Sequence, residues 1–231
     1  MSEVVSHQEH DNEWFFAESI DQFERPYRVN FINGLSGFKS AHLVGTCDDN
    51  GIDNLAIFSS VFHLGADPAL IGMIVRPDSV DRHTLANIRS TGFYSLNHVH
   101  EGIYQQAHQT SARYPADVSE FEAVGLTPQT IAESMSADTG ALSTKVPFVK
   151  EAFVKVLLGL EEILPIKANG TLMIIGKVLA VNLPAASVNQ QGVIDYQSLN
   201  EVAVVGLDSY YQANHFGRLS YAKPDKELTI L

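Results

Sequence analysis

The stretch Asn54-Leu-Ala-Ile-Phe-Ser-Ser-Val-Phe-His-Leu-Gly-Ala-Asp-Pro-Ala-Leu-Ile-Gly-Met-Ile-Val-Arg-Pro-Asp-Ser-Val-Asp-Arg-His-Thr-Leu-Ala-Asn-Ile88 decides how the rest of the chain is read. It holds two apolar, strand-like runs, a polar interruption at Ser59 and Ser60, and then Arg82, His83 and Thr84 at the opening of a helix. The first four amide N–H groups of a helix have no internal partner, and the helix dipole adds partial positive charge. A cationic and hydroxyl-bearing cluster there suits an anion such as phosphate. Ser59 and Ser60 offer hydroxyls to a flat heterocycle. A second reading uses the same residues without a ligand: Asp78, Ser79 or Asp81 caps the helix, Arg82 and His83 lie on its solvated face, and the serines bond backbone. Asp81 would repel phosphate unless it points away.

Working outward, Ala41 to Cys47 reads as a strand, and Asp48-Asp-Asn-Gly51 supplies a tight turn from which Ile52 to Val61 returns. Ala69 to Arg76 is a continuous apolar run, which predicts a strand buried on both faces. Arg82 to Ser90 reads as a helix closed by Gly92, and Phe93 to Val99 as another strand. Toward the N-terminus, Trp14, Phe15, Phe16, Ile20 and Phe23 recur near one helical face within Asn12 to Phe23. Pro26 blocks that helix, which is expected to pack across a barrel. Arg28 to Leu35 reads as a short helix ended by the Gly34 to Gly37 region. These glycines lack the Gly-x-Gly-x-x-Gly spacing of a dinucleotide-binding turn.

Beyond Val99 the composition changes. Glu101 to Ser143 is polar and turn-forming, with short helices expected near Ile103 to Ala112 and Ser119 to Val124; it reads as a lid or as a variable surface connection. Pro147 to Leu164 reads as strand, Asn169-Gly170 as a turn, and Thr171 to Asn182 as the return of a second long hairpin. Val202 to Gly206 is the last clear strand, and Tyr210, Tyr211, Phe216 and Tyr221 form an aromatic tail suited to a barrel end or an interface. Many strands in hairpin order with few helices predict a mostly β barrel with peripheral helices.

One order of motifs carries a resemblance. A strand and Asp/Gly turn are followed by Asn54-Leu-Ala-x-x-Ser-Ser60, then Asp67-Pro-x-Leu70, Arg82-His-Thr-Leu-x-Asn-Ile88 and Gly92-Phe-Tyr-x-x-Asn97. This resembles the flavin reductase-like family of FMN-binding split β-barrels from about Val29 to Asn97, and more loosely to Ala222. The resemblance implies that Asn54, Leu55, Ala56, Ser59, Ser60 and Val61 line the isoalloxazine and ribityl chain, and that Arg82, His83 and Thr84 meet the phosphate. This sequence keeps the threonine but has Arg82-His83 where many relatives have small hydroxyl residues. Arg76, at a strand end, is a further candidate for phosphate or a nicotinamide nucleotide, with a surface salt bridge as its other reading. The resemblance also implies FMN rather than FAD as cofactor, NADH or NADPH as transient donor, and a homodimer with flavin at the subunit seam.

Composition sets the outer bounds. At 231 residues, with 45% hydrophobic and 18% charged, the chain suits a single soluble domain over residues 12–231, preceded by a flexible polar tail from Met1 to Asp11 that is neither a secretory signal nor a transit peptide. Net charge is −12, so nucleic acid and anionic membrane surfaces would be repelled. No apolar run is long enough for a membrane helix, and the single Cys47 makes no internal disulfide and reads as a small buried strand residue. A cytoplasmic protein is expected. A flavin supplies its own redox chemistry, which explains why no catalytic dyad stands out, and the leading reading is an NAD(P)H:flavin oxidoreductase. Two alternatives stand beside it: a flavin-binding electron carrier without turnover, and a metal site built from His98, His100, Glu101 and His108.

Overall fold

The computed structural model describes residues 13–77, 83–115, 117–131 and 145–231. In chain order the elements are α1 (Ala17–Asp21), α2 (Arg25–Gly34), β1 (Lys39–Ser40), β2 (His42–Cys47), β3 (Asp53–Phe58), β4 (Val61–Ala66), β5 (Ala69–Val75), α3 (His83–Thr91) and β6 (Phe93–His98). They continue with α4 (Tyr104–Gln109), α5 (Glu120–Val124), β7 (Pro128–Gln129), β8 (Phe148–Val149), β9 (Lys155–Ile166), β10 (Thr171–Asn182), β11 (Val202–Val205) and β12 (Ser209–Gln212).

Seven strands form one antiparallel sheet in the order β3-β2-β6-β9-β10-β5-β4. In a flat sheet, six spacings of about 4.8 Å would hold β3 and β4 roughly 29 Å apart. Only Ser59 and Ser60 join them, and three Cα steps span at most about 11 Å. The sheet must therefore curl until its two edges meet, which makes a barrel split along the β3/β4 seam. Ile74 N donates to Ser60 O at 2.9 Å and holds that seam against β5. The predicted mostly β split barrel with peripheral helices is the observed fold.

Curling also explains the core. Val44 of β2 meets Met73 and Val75 of β5 in one buried cluster, although three strands separate β2 from β5 in the sheet. Only a concave face brings them together, and Leu85 and Ile88 of α3 plug it. On the outer face, Leu43 and Leu55 pack with Val99 and against Ile103, Ala107 and Phe121 of the α4–α5 region. Close strand contact is enforced at Gly45, where a Cβ would lie 2.2 Å from Pro147 O. Ser95 Oγ donates to that same carbonyl at 2.6 Å, and Asn97 Oδ1 accepts from Val149 N at 2.9 Å, so β6 pins β8 across the outer face.

The two turn-coded hairpins form as their residues dictate. Asp48 Oδ1 accepts from Asn50 N and Ile52 N at 2.9 and 2.7 Å, and Gly51 takes φ +83°. Gly170 takes φ +74° between β9 and β10, and Cys47 is buried as expected.

Three expectations need correction. The N-terminal segment does not cross the barrel: no residue of α1 or α2 is buried. Phe15, Phe23, Tyr27 and Phe31 pack on one another with ring centroids 4.7–6.1 Å apart, so the aromatic face serves a local cluster. Pro26 opens α2, where its missing N–H costs nothing. Second, β4 is a strand of its own, and because this edge is largely exposed, β5 is buried only in part. Third, Pro147 to Leu164 is broken between β8 and β9. Met1 to Asp11, Arg82 and part of the Glu101 to Ser143 region lie outside the described residues; the described part of that region contains α4 and α5 as expected. No helix among the described residues is long and apolar enough to cross a membrane.

Candidate functional site

Beside the seam, side-chain amides and hydroxyls tie α3 to the sheet. Asn54 Nδ2 donates to Thr46 Oγ1 at 3.2 Å and to Thr84 Oγ1 at 3.0 Å, and Asn87 Nδ2 donates to Thr46 Oγ1 at 3.1 Å. All four residues are buried. Thr84 Oγ1 accepts from the protein and keeps its own O–H to donate elsewhere. Next to them, Glu120 of α5 accepts from Leu55 N at 2.9 Å, which satisfies an outward N–H of the edge strand β3.

This wall borders a cavity of about 660 Å³, a size that suits a nucleotide-like ligand. Asn54, Ala56, Ile57, Phe58, Ser59 and Ser60 line one side; Ile74, Val75 and Arg76 at the end of β5, with His83, Thr84 and Leu85 of α3, line another. Thr110 to Tyr114, Glu120, Asn33, Lys39 and Leu207 complete it. The Ser59 and Ser60 hydroxyls bond no group among the described residues, and neither does the Arg76 guanidinium. Among the described residues three cations, Lys39, Arg76 and Arg113, meet at this cavity in a protein of net charge −12. The lining carboxylate, Glu120, is already engaged by a backbone N–H. A polar, cationic cleft with apolar side chains between its hydroxyls suits a flat heterocycle that bears a phosphate.

Sequence comparison decides the family. The profile of the flavin reductase like domain matches residues 35–201. The chain belongs to the flavin reductase-like family. A split-barrel protein of Shewanella frigidimarina NCIMB 400, itself a candidate flavin reductase, is 47% identical and superposes with a TM-score of 0.84 over 91% of this chain and 100% of its own. Nitrilotriacetate monooxygenase component B from Bacillus cereus shares the fold at 20% identity, with a TM-score of 0.75 over 90% and 100% of the two chains. Flavoredoxin of Desulfovibrio vulgaris (Miyazaki F) shares it at 18% identity, with a TM-score of 0.64 over 82% and 92%.

Within this flavin reductase-like chain, the sequence-predicted site residues separate into three groups. Asn54, Ala56, Ser59, Ser60, Arg76, His83 and Thr84 converge on the cavity. Leu55 and Val61 do not line it: Leu55 is fully buried against the α4–α5 region, and Val61 packs toward the inner core. Arg82 lies outside the described residues. Sequence reading missed Lys39, Arg113 and Tyr114, which approach from segments distant along the chain, with no local spacing to mark them.

The histidines of the metal alternative are not brought together. His98 Nδ1 lies 2.9 Å from the Glu201 carboxylate, His100 Nε2 lies 3.1 Å from Glu151 O, and His108 Nδ1 lies 3.1 Å from Tyr210 Oη. Each serves a separate structural contact. Among the described residues no group of three or more His, Cys, Asp or Glu side chains could hold a metal ion.

Proposed function

We propose that this cavity binds FMN and that the protein is an NAD(P)H-dependent flavin reductase. The observation that carries the reading is the meeting of Arg76, His83 and the Thr84 and Ser59/Ser60 hydroxyls on one cleft of a strongly acidic, flavin reductase-like chain. Ala56, Ile57, Phe58 and Leu85 give the apolar surface a flat ring requires, while Ser59 and Ser60 give it hydrogen-bond partners. The start of α3, with Arg82, His83 and Thr84, takes the phosphate. FMN, with its single terminal phosphate, is the flavin proposed for this site. Held by these residues, FMN would supply the redox chemistry, the uptake of a hydride from a nicotinamide donor and its delivery to a small acceptor. The chain's own residues bind, orient and neutralise.

Exposed aromatic groups favour a homodimer: Phe216 and Tyr221 in the tail and Trp14 ahead of α1 are almost wholly uncovered. The fold likeness to a flavoredoxin supports a second reading, an electron carrier without turnover. Protein purified without added cofactor should show a flavin absorbance spectrum, with released FMN identified by its mass. Anaerobic NADH or NADPH should bleach it rapidly, with turnover on an added acceptor. Slow bleaching and no turnover would select the carrier, and a protein that neither retains nor binds flavin would refute both. A cytoplasmic site of action goes with this chemistry.

A further inference from the structure

A phosphate at the start of α3 leaves two cations of the cavity lining, Lys39 and Arg113, without a role. Arg76 and His83 are carried by the end of β5 and by α3, whereas Lys39 and Arg113 come from segments that meet the three-stranded β1-β11-β12 sheet. Lys39 is in β1, which pairs with β11, and β11 pairs with β12. Arg113 follows α4, and Tyr210 of β12 locks that helix to the same sheet: its ring centroid is 5.4 Å from that of Tyr104, and its hydroxyl reaches His108. Lys39 Nζ donates to Gly206 O at 3.1 Å and to Asn33 O at 3.4 Å. Two neutral carbonyls hold this ammonium in the cavity wall without cancelling its charge, and an N–H remains for a ligand. Asp208, the nearby acid, is turned to Ser209 Oγ. No carboxylate among the described residues pairs with Arg113.

We infer that Lys39 and Arg113 form a second anion pole, which takes the phosphate of a second nucleotide that enters the cavity alongside the resident flavin. The inference rests on the flavin reading above and adds the residues that select this co-substrate. Two further cations, carried by segments other than β5 and α3, exceed what one monophosphate already met by the start of α3 requires. They match the pyrophosphate of a nicotinamide dinucleotide, or the phosphate of a free flavin arriving as acceptor. Each source presents the same chemistry to these side chains, a phosphate oxygen facing a guanidinium and an ammonium.

The test uses Lys39→Met, Arg113→Gln and the charge-retaining Lys39→Arg in the full chain. Dissociation constants of FMN and riboflavin are read from flavin fluorescence quenching, and KM and kcat from steady-state reduction with NADH, NADPH, free FMN and riboflavin. Lys39→Met and Arg113→Gln should each leave the FMN dissociation constant within about twofold of wild type and raise the KM of the second nucleotide about tenfold, with kcat little changed. Lys39→Arg should recover most of that loss. A rise confined to NADH and NADPH assigns the pole to the dinucleotide; a rise for free FMN and not riboflavin assigns it to the acceptor. The inference is overturned if every KM is unchanged, or if the variants weaken FMN about tenfold and spare riboflavin, since these residues would then hold the resident phosphate. A wild-type chain that binds no flavin would remove the flavin reading itself. Unchanged KM values in a chain that binds and reduces flavin would remove this inference alone.

Discussion

β2 carries a buried polar cluster at each end, and only one of them opens. At the Thr46 end, Thr46, Asn54, Thr84 and Asn87 bond one another and form the floor beside a cavity whose rim still holds uncommitted donors. At the His42 end, the ring of His98 meets His42 edge-on at 4.4 Å and lies parallel to Tyr196 at 5.8 Å, while its Nδ1 bonds Glu201. That second cluster lines no part of the cavity and latches the segment around Tyr196 to Glu201 onto the barrel. Burial, with His98 beside it, pushes the His42 pKa well below its ordinary value, and His42 Nδ1 has no hydrogen-bond partner among the described residues. Polar residues inside a sheet thus signal a ligand only where they support a cavity that still offers donors. Away from such a cavity they report how a chain segment is fastened.

Breaking the open cluster should have the largest effect. Asn54→Ala removes two buried hydrogen bonds and leaves a void, and should cost about 2–3 kcal/mol in urea unfolding while also weakening flavin binding. Glu120→Ala strands the Leu55 N–H at the β3 edge and should cost about 2 kcal/mol. In the closed cluster, Glu201→Gln should cost about 1 kcal/mol and increase hydrogen exchange around residues 196–201, with flavin affinity unchanged. A matching loss of flavin affinity would show that the two ends are not independent.

Smaller effects come from pH, with opposite signs at the two ends. Folded His42 resists a proton that the unfolded chain takes up near pH 6.5, so its contribution to stability is present above that value and lost as pH falls. His42→Phe should flatten the decline in melting temperature between pH 7 and about 5. Asp53, near the open end, behaves in reverse: burial raises its carboxyl pKa from 3.8 to about 6. The folded chain holds that proton more tightly, so its contribution is present at low pH and lost as pH rises through about 6. Asp53→Asn should therefore raise the melting temperature at pH 8 more than at pH 4, modestly because the carboxyl is partly solvated.

Much of this was legible wherever the chemistry is local. Asp48-Asp-Asn-Gly51 and Asn169-Gly170 encode their turns in adjacent residues, and Ser59-Ser60 and His83-Thr84 stand out as polar breaks beside apolar runs. Alternation along β3 already separates Asn54 and Ala56 from Leu55, whose side chain belongs to the outer core. By contrast, β4 contains His63 and Gly65 and lies at an exposed edge, where selection for an apolar pattern is weak. Lys39 and Arg113 reach the cavity because β1 pairs with β11 and α4 packs between β3 and β12. That arrangement depends on contacts between distant parts of the chain, which spacing along the sequence does not record.

The central claim is that the cavity holds flavin with its phosphate at the start of α3, and comparing FMN with riboflavin in wild type and Arg82→Ala tests it most directly. Loss of a charge-assisted hydrogen bond should weaken FMN about tenfold to a hundredfold. Riboflavin, which lacks the phosphate, should bind both proteins nearly equally, and Thr84→Val should show the same contrast more mildly. If Arg82→Ala weakened FMN and riboflavin equally, or affected neither, the phosphate would lie elsewhere and the start of α3 would be a helix cap and nothing more.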